Sequence, residues 1–252
     1  MIHFVGAGCG AADLITVRGQ RYLREADVIV YAGSLVNPAL LAEKKDGCRV
    51  FNSAEMTLEE VLAVLFDAEA RGLTTVRLHT GDPCLYGAIR EQMDALDAKG
   101  VAYDYTPGVS SFCGAAAALN MEYTLPNVSQ SVVITRMAGR TPVPARESVR
   151  AFAAHKATMV LFLSTGLLEK TQEELLAGGY EPETPAAIVY KATWPDERTF
   201  LCTVGTLARC AEENNVRKTA LIIVGDAVQQ SGYARSELYN PAFATEFRPA
   251  KE

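Results

Sequence analysis

Residues 74–83, Thr74-Thr75-Val76-Arg77-Leu78-His79-Thr80-Gly81-Asp82-Pro83, carry the pattern that decides the fold of this chain. Residues 74–78 have the β-branched and apolar side chains of a short strand, and a loop of turn-forming residues follows them. Gly81 lets the backbone approach another group closely, and Asp82 is held extended by the proline that follows it. The segment predicts a strand that ends in a βα turn. Composition alone leaves open whether that turn is an ordinary connection or part of a ligand site.

Short strands alternate with amphipathic helices on both sides of this segment. We predict strands at residues 2–5, 28–31, 49–51, 74–78 and 102–105, and helices at 13–25, 57–71, 87–98 and 110–119. The second helix has the clearest limits, because Thr57 and Glu60 form a capping-box pattern and Gly72 is a stop signal. This order predicts a mostly parallel sheet with helices on both faces. Ligands bind such sheets beyond the carboxyl ends of the strands.

The alternation breaks at residues 122–129, which contain Pro126 and have no helical period. Further strands are predicted at 132–135, 159–163, 186–190, 199–203 and 220–224, and helices at 146–154, 167–177 and 206–214. Two strands in succession indicate a mixed sheet. We therefore predict two α/β domains, at residues 1–124 and 125–229, and a polar tail at 230–252 that we expect to be loose.

Composition excludes several classes of protein. The 252 residues are 49% hydrophobic and 21% charged, enough to bury a core, and the net charge of −6 argues against a nucleic-acid partner. No apolar stretch is long enough to span a bilayer. Six cysteines without a C-x-x-C pair and three scattered histidines predict no metal site. The simplest interpretation of the cysteines is a protein of the reducing cytosol with six free thiols.

Three further loops contain candidate binding residues. Residues 6–11, Gly6-Ala7-Gly8-Cys9-Gly10-Ala11, fit the G-x-G-x-x-G/A dinucleotide pattern, but the second predicted strand ends without the acid that holds a nicotinamide ribose. An NAD-dependent oxidoreductase is therefore disfavoured, although it stays an alternative. Arg136 and Arg140 flank a glycine in a loop that is either solvated or binds carboxylates. Trp194, the only tryptophan, is either a ligand wall or an aromatic plug on its own hairpin.

The order and spacing of these loops resemble the tetrapyrrole (uroporphyrinogen and precorrin) methylase family over nearly the whole chain. Two family signatures match Gly81-Asp82-Pro83…Tyr86-Gly87 and Pro107-Gly108-Val109-Ser110-Ser111. Residues 136–142 and 191–196 resemble the branch that methylates C11 of precorrin-4 or cobalt-precorrin-4. One departure is in the first loop, where Cys9 and Ala11 replace the proline and aspartate that the family usually has.

The resemblance implies a homodimer of two-domain α/β subunits that transfers a methyl group from S-adenosylmethionine to a tetrapyrrole and releases S-adenosylhomocysteine. It names no catalytic acid or base. The donor residues it implies are Cys9, Thr80, Gly81, Asp82, Leu85, Ser110, Ser111, Leu163 and Ala192. Our candidates for holding the carboxylate arms of the substrate are Arg136, Arg140, Lys191 and Arg198. Methylation at another ring position and a non-catalytic metabolite-binding role stay open as alternatives.

Overall fold

The computed structural model describes residues 1–251, which divide into two compact units. Unit 1 contains Met1–Ala115 and Lys191–Glu197, and unit 2 contains Ala116–Tyr190 and the chain from Arg198 onward. Each unit has its own five-stranded sheet and its own helices. The predicted pair of α/β folds is confirmed, whereas the predicted domain limits at residues 124 and 229 stay predictions.

Unit 1 contains a parallel sheet of five strands. They are β1 (Ile2–Gly6), β2 (Val28–Tyr31), β3 (Arg49–Asn52), β4 (Thr75–His79) and β5 (Tyr103–Thr106). The spatial order is β3-β2-β4-β1-β5, and every pairing is parallel. The helices are α1 (Val17–Glu25), α2 (Leu58–Ala70), α3 (Arg90–Asp97) and α4 (Ser111–Ala118). The parallel sheet predicted from the alternating pattern is confirmed.

Helices cover both faces of this sheet because alternate strand residues point to opposite sides. Ile2 and Phe4 of β1 pack with Leu65 of α2 and Leu96 of α3. The intervening Val5 packs on the other face with residues that include Leu23 of α1. Because both faces of these strands are buried, their sequences are apolar at successive positions, and these apolar runs are the signal from which the strands were predicted.

Helix starts differ from the predicted ones for local reasons. The predicted α2 capping box of Thr57 and Glu60 is present. Helix α1 begins at Val17 instead of residue 13, because the Thr16 side chain caps it by accepting the Gly19 N–H. Helix α3 begins at Arg90 instead of residue 87, because Tyr86 and Ala88 have φ angles of 58° and 49° that a helix cannot contain.

Unit 2 contains the mixed sheet that two successive strands predicted. Its strands are β6 (Val132–Arg136), β7 (Thr158–Phe162), β8 (Pro185–Tyr190), β9 (Arg198–Thr203) and β10 (Ala220–Val224). The order is β6-β7-β10-β8-β9, in which only the β6–β7 pairing is parallel. Helices α5 (Val149–Ala153), α6 (Leu168–Gly178) and α7 (Leu207–Glu213) pack in one apolar cluster with this sheet.

The tail contains more local order than we expected. Residues Glu237–Tyr239 form a 3₁₀ turn, and the Arg248 guanidinium donates to the carbonyl oxygens of Leu238, Asn240 and Phe243 at 2.9, 2.9 and 3.3 Å. An arginine is able to make several such bonds at once because it carries five N–H donors. Within residues 1–251, no helix is long and apolar enough to cross a bilayer.

Candidate active site

The loops after β4, β1 and β5 lie side by side, because these three strands are neighbours in the parallel sheet. The connections that leave β1 and β4 cross opposite faces, since α1 packs with the Val5 cluster and α3 with the Phe4 cluster. Adjacent strands whose connections diverge in this way open a crevice at their carboxyl ends. The fold of unit 1 therefore brings the loops that the sequence singled out to the edge at which sheets of this kind bind ligands.

Backbone hydrogen bonds join the first two of these loops. Gly81 N–H donates to the Gly8 carbonyl at 2.8 Å, and Gly8 N–H donates back to the Gly81 carbonyl at 3.2 Å. Both glycines have positive φ angles, 83° at Gly8 and 61° at Gly81, which explains why this residue type stands at both positions. These two hydrogen bonds thus fix the glycine loop and the Thr80–Pro83 loop to each other.

The third loop contacts the other two through glycine backbone. A Cβ placed on Gly108 would stand 2.2 Å from the Gly81 carbonyl oxygen, and one on Gly6 would stand 2.6 Å from the Gly108 Cα. Gly81 differs, because a Cβ there would have its nearest contact at 3.5 Å, with the Ser111 nitrogen at the start of α4. A Cβ at Gly81 would therefore make ordinary contacts, whereas the packed backbone at Gly6 and Gly108 leaves no room for one.

Asp82 binds protein groups with both of its carboxylate oxygens. Its Oδ1 accepts the Cys84 N–H at 2.9 Å and the Tyr105 hydroxyl, and its Oδ2 accepts the Gly108 N–H at 3.0 Å. Burial raises the pKa of Asp82, but these hydrogen bonds outweigh burial, so the pKa lies below its ordinary value. Asp82 therefore acts as an ionised clamp between the second and third loops.

Residues 191–197 follow β8 in sequence but belong to unit 1, where they contact the glycine loop. The Thr193 hydroxyl oxygen accepts the Ala11 N–H at 2.9 Å and lies 3.5 Å from the Cys9 Sγ. A Cβ on Gly10 would stand 2.4 Å from the Trp194 ring, so the indole covers this glycine. Thr193 has a φ of 67°, a rare conformation for a β-branched residue, which indicates strain held by these contacts.

Cys9 occupies the position at which the family usually has proline. Its side chain is buried against Gly114 of α4, where an added Cβ would stand 2.9 Å from the thiol sulfur. Any contact that Cys9 makes with a ligand would therefore come from its backbone. Cysteine in place of proline keeps a small apolar side chain at this position. Its sulfur also accepts a hydrogen bond from the Thr193 hydroxyl.

Eight of the nine expected donor residues belong to unit 1, and the ninth, Leu163, belongs to unit 2. Thr80, Leu85 and Ser111 are half-buried, whereas Ser110 and Ala192 are buried. Leu163 follows β7 with a φ of 51° and is 66% exposed, unusual for a leucine. Across residues 1–251 no cluster of three or more potential metal-ligating side chains was found.

The four expected substrate-binding residues differ in what they already contact. The Arg136 guanidinium donates to the backbone carbonyls of Met137, Thr141 and Pro142 at 3.2, 3.3 and 2.8 Å, so it organises its own loop. Lys191 pairs with Asp196 at 2.6 Å. Arg198 stacks on the rings of Tyr190 and Phe200 in unit 2. Arg140 is exposed, and no hydrogen bond or ion pair of its side chain was found within the described residues.

Sequence reasoning missed the residues that hold the loops together. Tyr105 of β5 binds Asp82 in the loop after β4, although β1 lies between these two strands, and Thr193 binds a loop 182 positions away in the chain. Local sequence contains no signal for contacts of this range. Asp27, the acid directly before β2, lies at the amino end of that strand and not at the carboxyl end where a nicotinamide site needs an acid. It accepts the Thr74 N–H and pairs with Lys45.

These features define a two-domain α/β protein whose candidate site is formed by the loops that follow β1, β4 and β5. A profile of the Tetrapyrrole (Corrin/Porphyrin) Methylases matches residues 1–208. The chain belongs to this family.

Relatives of known name match almost from end to end. A cobalt-precorrin-4 C(11)-methyltransferase of Methanocaldococcus jannaschii is 48% identical over 98% of this chain and 95% of its own length. A precorrin-4 C(11)-methyltransferase of Mycobacterium tuberculosis is 45% identical over 96% of both chains.

Solved structures agree with these matches. The X-ray structure of a cobalt precorrin-4 methyltransferase is 45% identical with a TM-score of 0.88, covering 90% of this chain and 95% of that one. A Thermus thermophilus uroporphyrin-III C-methyltransferase complexed with S-adenosylhomocysteine is 26% identical with a TM-score of 0.76, covering 91% and 99%.

Proposed function

We propose that this chain is an S-adenosylmethionine-dependent methyltransferase that acts at C11 of precorrin-4 or cobalt-precorrin-4 in cobalamin biosynthesis. The observation that carries the proposal is the match of 45–48% identity, over nearly the full length, to enzymes of that name. Because one of these relatives is named for the cobalt form and the other is not, the proposal includes both substrates.

We propose that the donor lies at the loops of unit 1, held by the backbone of Cys9, Gly81 and Ala192 and by the side chains of Thr80, Leu85, Ser110 and Ser111. The resemblance also implies Leu163, which belongs to unit 2. The loops suit a donor gripped by main chain, since Asp82 already binds three protein groups and glycine backbone forms the contacts between the loops. Asp82 belongs to this site as the clamp of its loops. When bound, S-adenosylmethionine supplies the activated methyl group.

The residues of this site contribute positioning rather than proton transfer. The loops at residues 6–11, 80–87 and 106–111 contain one carboxylate, Asp82, and its oxygens are engaged. His79, directly before the second loop, has its pKa lowered to about 3 by burial and by the nearby Arg77 charge, so it is neutral and a poor base at pH 7. Holding two reactants in attack geometry is itself a large source of rate enhancement.

Basic side chains are proposed to recognise the acetate and propionate arms of the substrate. Arg140 has the strongest case, because its guanidinium is exposed, whereas Arg136 supports the same loop through three backbone carbonyls. Lys191 and Arg198 are weaker candidates, since each would have to exchange or share its present partners. We also propose a cytoplasmic location, which six free cysteine thiols support, and a homodimer, which the family resemblance implies.

The test is calorimetry followed by turnover with the purified protein. S-adenosylhomocysteine should bind and NAD should not, and tight NAD binding without S-adenosylhomocysteine binding would refute the proposal. A labelled methyl donor should then label precorrin-4 or cobalt-precorrin-4, with the position assigned by NMR of the product. Methylation at another carbon, or binding without turnover of either substrate, would overturn the C11 assignment. Light scattering gives the oligomeric state.

A further inference from the structure

An arginine stands in the middle of the parallel sheet of unit 1, where apolar residues are the rule. Arg77 belongs to β4, is paired in register with Phe4 of β1 and Val30 of β2, and is 5% exposed. Burial lowers its pKa to about 10, so it remains charged at neutral pH. No carboxylate of residues 1–251 lies within ion-pair distance of it. A buried charge without a counter-ion requires strong hydrogen bonds.

These bonds lead from Arg77 to the loop of the candidate site. Its guanidinium donates through Nη1 to the Val30 carbonyl at 3.1 Å and through Nε to Gln92 Oε1 at 3.0 Å. Gln92, itself 4% exposed, donates through Nε2 to the Ala88 carbonyl at 2.9 Å. Because arginine is only a donor, it fixes the Gln92 oxygen toward itself and leaves the amide NH₂ for Ala88.

The segment that receives this bond is conformationally unfavourable. Tyr86 and Ala88 have φ angles of 58° and 49°, in the region that residues with a Cβ avoid. Gly87 between them lies so close to Pro83 that a Cβ would stand 2.2 Å from the Pro83 carbonyl oxygen. The turn therefore needs an external contact to persist, and Gln92 provides one from the first turn of α3.

We propose that Arg77 and Gln92 form a polar relay that holds the Tyr86–Ala88 turn in place, and that the relay thereby positions the Thr80–Leu85 loop for the donor. Both are positioning residues that act through the Ala88 carbonyl. The link to the donor rests on the proposed function, whereas the hold on the turn does not.

Gln92→Glu separates the relay from a general effect on folding. A glutamate still accepts from Arg77 and gives the buried charge a counter-ion, so the melting temperature should stay near that of the wild type. Its second oxygen faces the Ala88 carbonyl and cannot donate to it. We expect S-adenosylhomocysteine to bind about tenfold more weakly, as for the loss of one hydrogen bond. Gln172→Glu is the matched control, because Gln172 Oε1 accepts the Ala208 N–H in unit 2 and the change keeps that acceptor.

Rescue gives the decisive comparison. Gln92→Met removes both bonds and should also weaken binding, but Ala88→Gly in the same chain should restore much of it, because glycine adopts a φ near 49° without strain. Unchanged affinity in both Gln92 variants, or a double variant no better than Gln92→Met, would overturn the proposal.

Amide hydrogen exchange of residues 84–89 in the ligand-free protein tests the hold on the turn without a donor. Exchange should be faster in Gln92→Met than in the wild type and in Gln172→Glu. If the wild type does not bind S-adenosylhomocysteine, the proposed function fails and this measurement still decides on the relay. Equal exchange rates in all three proteins would contradict it.

Discussion

Substituting Asp82 with asparagine tests whether this single carboxylate holds the second and third loops together. Asparagine keeps one acceptor oxygen but turns an NH₂ group toward a present donor, either Gly108 N–H or the pair of Cys84 and Tyr105. We expect a loss of about 1–3 kcal/mol in the free energy of unfolding, the cost of a half-buried donor without its partner. S-adenosylhomocysteine affinity should fall as well, measured by calorimetry. Asp13→Asn, at an exposed aspartate, is the control.

The pH dependence of that loss has a definite sign. The folded pKa of Asp82 is lower than its ordinary value of 3.8, so folding is favoured by ionisation of this group. The contribution of Asp82 to the free energy of unfolding should be fully present at any pH above the pKa of the unfolded state. It should disappear as the pH falls from that pKa through the lower pKa of the folded state. The stability difference between wild type and Asp82→Asn should therefore narrow only in that acidic range. A difference that already narrows between pH 7 and 5 would contradict this account.

Arg140 and Arg146 offer a comparison of two exposed arginines close in sequence. If Arg140 holds a carboxylate arm, Arg140→Ala should raise KM for the tetrapyrrole about tenfold or more, since a charge-assisted hydrogen bond contributes about 1.5–3 kcal/mol. The KM for S-adenosylmethionine and the melting temperature should not change. Arg146→Ala should leave all three quantities unaltered. Unchanged kinetic constants in Arg140→Ala would remove Arg140 from the substrate site.

Thr193 combines a strained backbone with a bond to the glycine loop. Thr193→Val keeps the shape and loses the acceptor of the Ala11 N–H, so the free energy of unfolding should fall by about 1–3 kcal/mol. Thr193→Ser keeps the hydroxyl and removes the methyl branch, so this variant should be clearly more stable than Thr193→Val. Chemical denaturation of the two variants measures the difference. Equal stability of both would show that the hydroxyl contributes nothing.

At the scale of elements, the contact between the three loops depends on glycine backbone. Gly108→Ala would place a Cβ 2.2 Å from the Gly81 carbonyl oxygen and 2.8 Å from the Gly6 Cα, so β1, β4 and β5 could not keep their present loop spacing. We expect the melting temperature to fall strongly and S-adenosylhomocysteine binding to be lost. Gly166→Ala is the matched control, because the nearest atom to its Cβ would be 4.0 Å away. Wild-type affinity in Gly108→Ala would exclude this loop from the site.

Elements whose signals are local could be predicted from the sequence. The capping box of α2 lies within four residues, and the buried strands show their apolar runs directly. The late start of α3 could not be predicted, because the positive φ angles at Tyr86 and Ala88 depend on the Gln92 and Pro83 contacts. Helical periodicity alone extends such a helix backwards through its connecting loop.

For the whole molecule, the pattern predicted two α/β folds but not the return of residues 191–197 to unit 1. A segment between two strands of one sheet is normally assigned to that sheet. The Ala11–Thr193 bond spans 182 positions, and no periodicity encodes it. Of the site, the glycines and the Asp82-Pro83 pair could be found in advance as a motif. The role of Asp82 as a clamp depends on Tyr105, a partner known only from the fold.

Removal of the tail tests whether residues 1–232 suffice for folding and donor binding. The buried apolar residues of the described chain end at Val228, whereas Tyr233, Leu238, Tyr239, Phe243 and Phe247 are all exposed. A chain that stops after Gly232 loses the Arg248 turn and the Ala234 bond to the Pro126 carbonyl. It keeps every residue of the apolar clusters described for the two sheets. Because burial of apolar surface dominates stability, its melting temperature should stay within a few degrees of the wild type. S-adenosylhomocysteine affinity should also be unchanged by calorimetry, since every proposed donor residue precedes the cut. A tenfold loss of affinity with normal stability would instead assign the exposed aromatic side chains a part in binding.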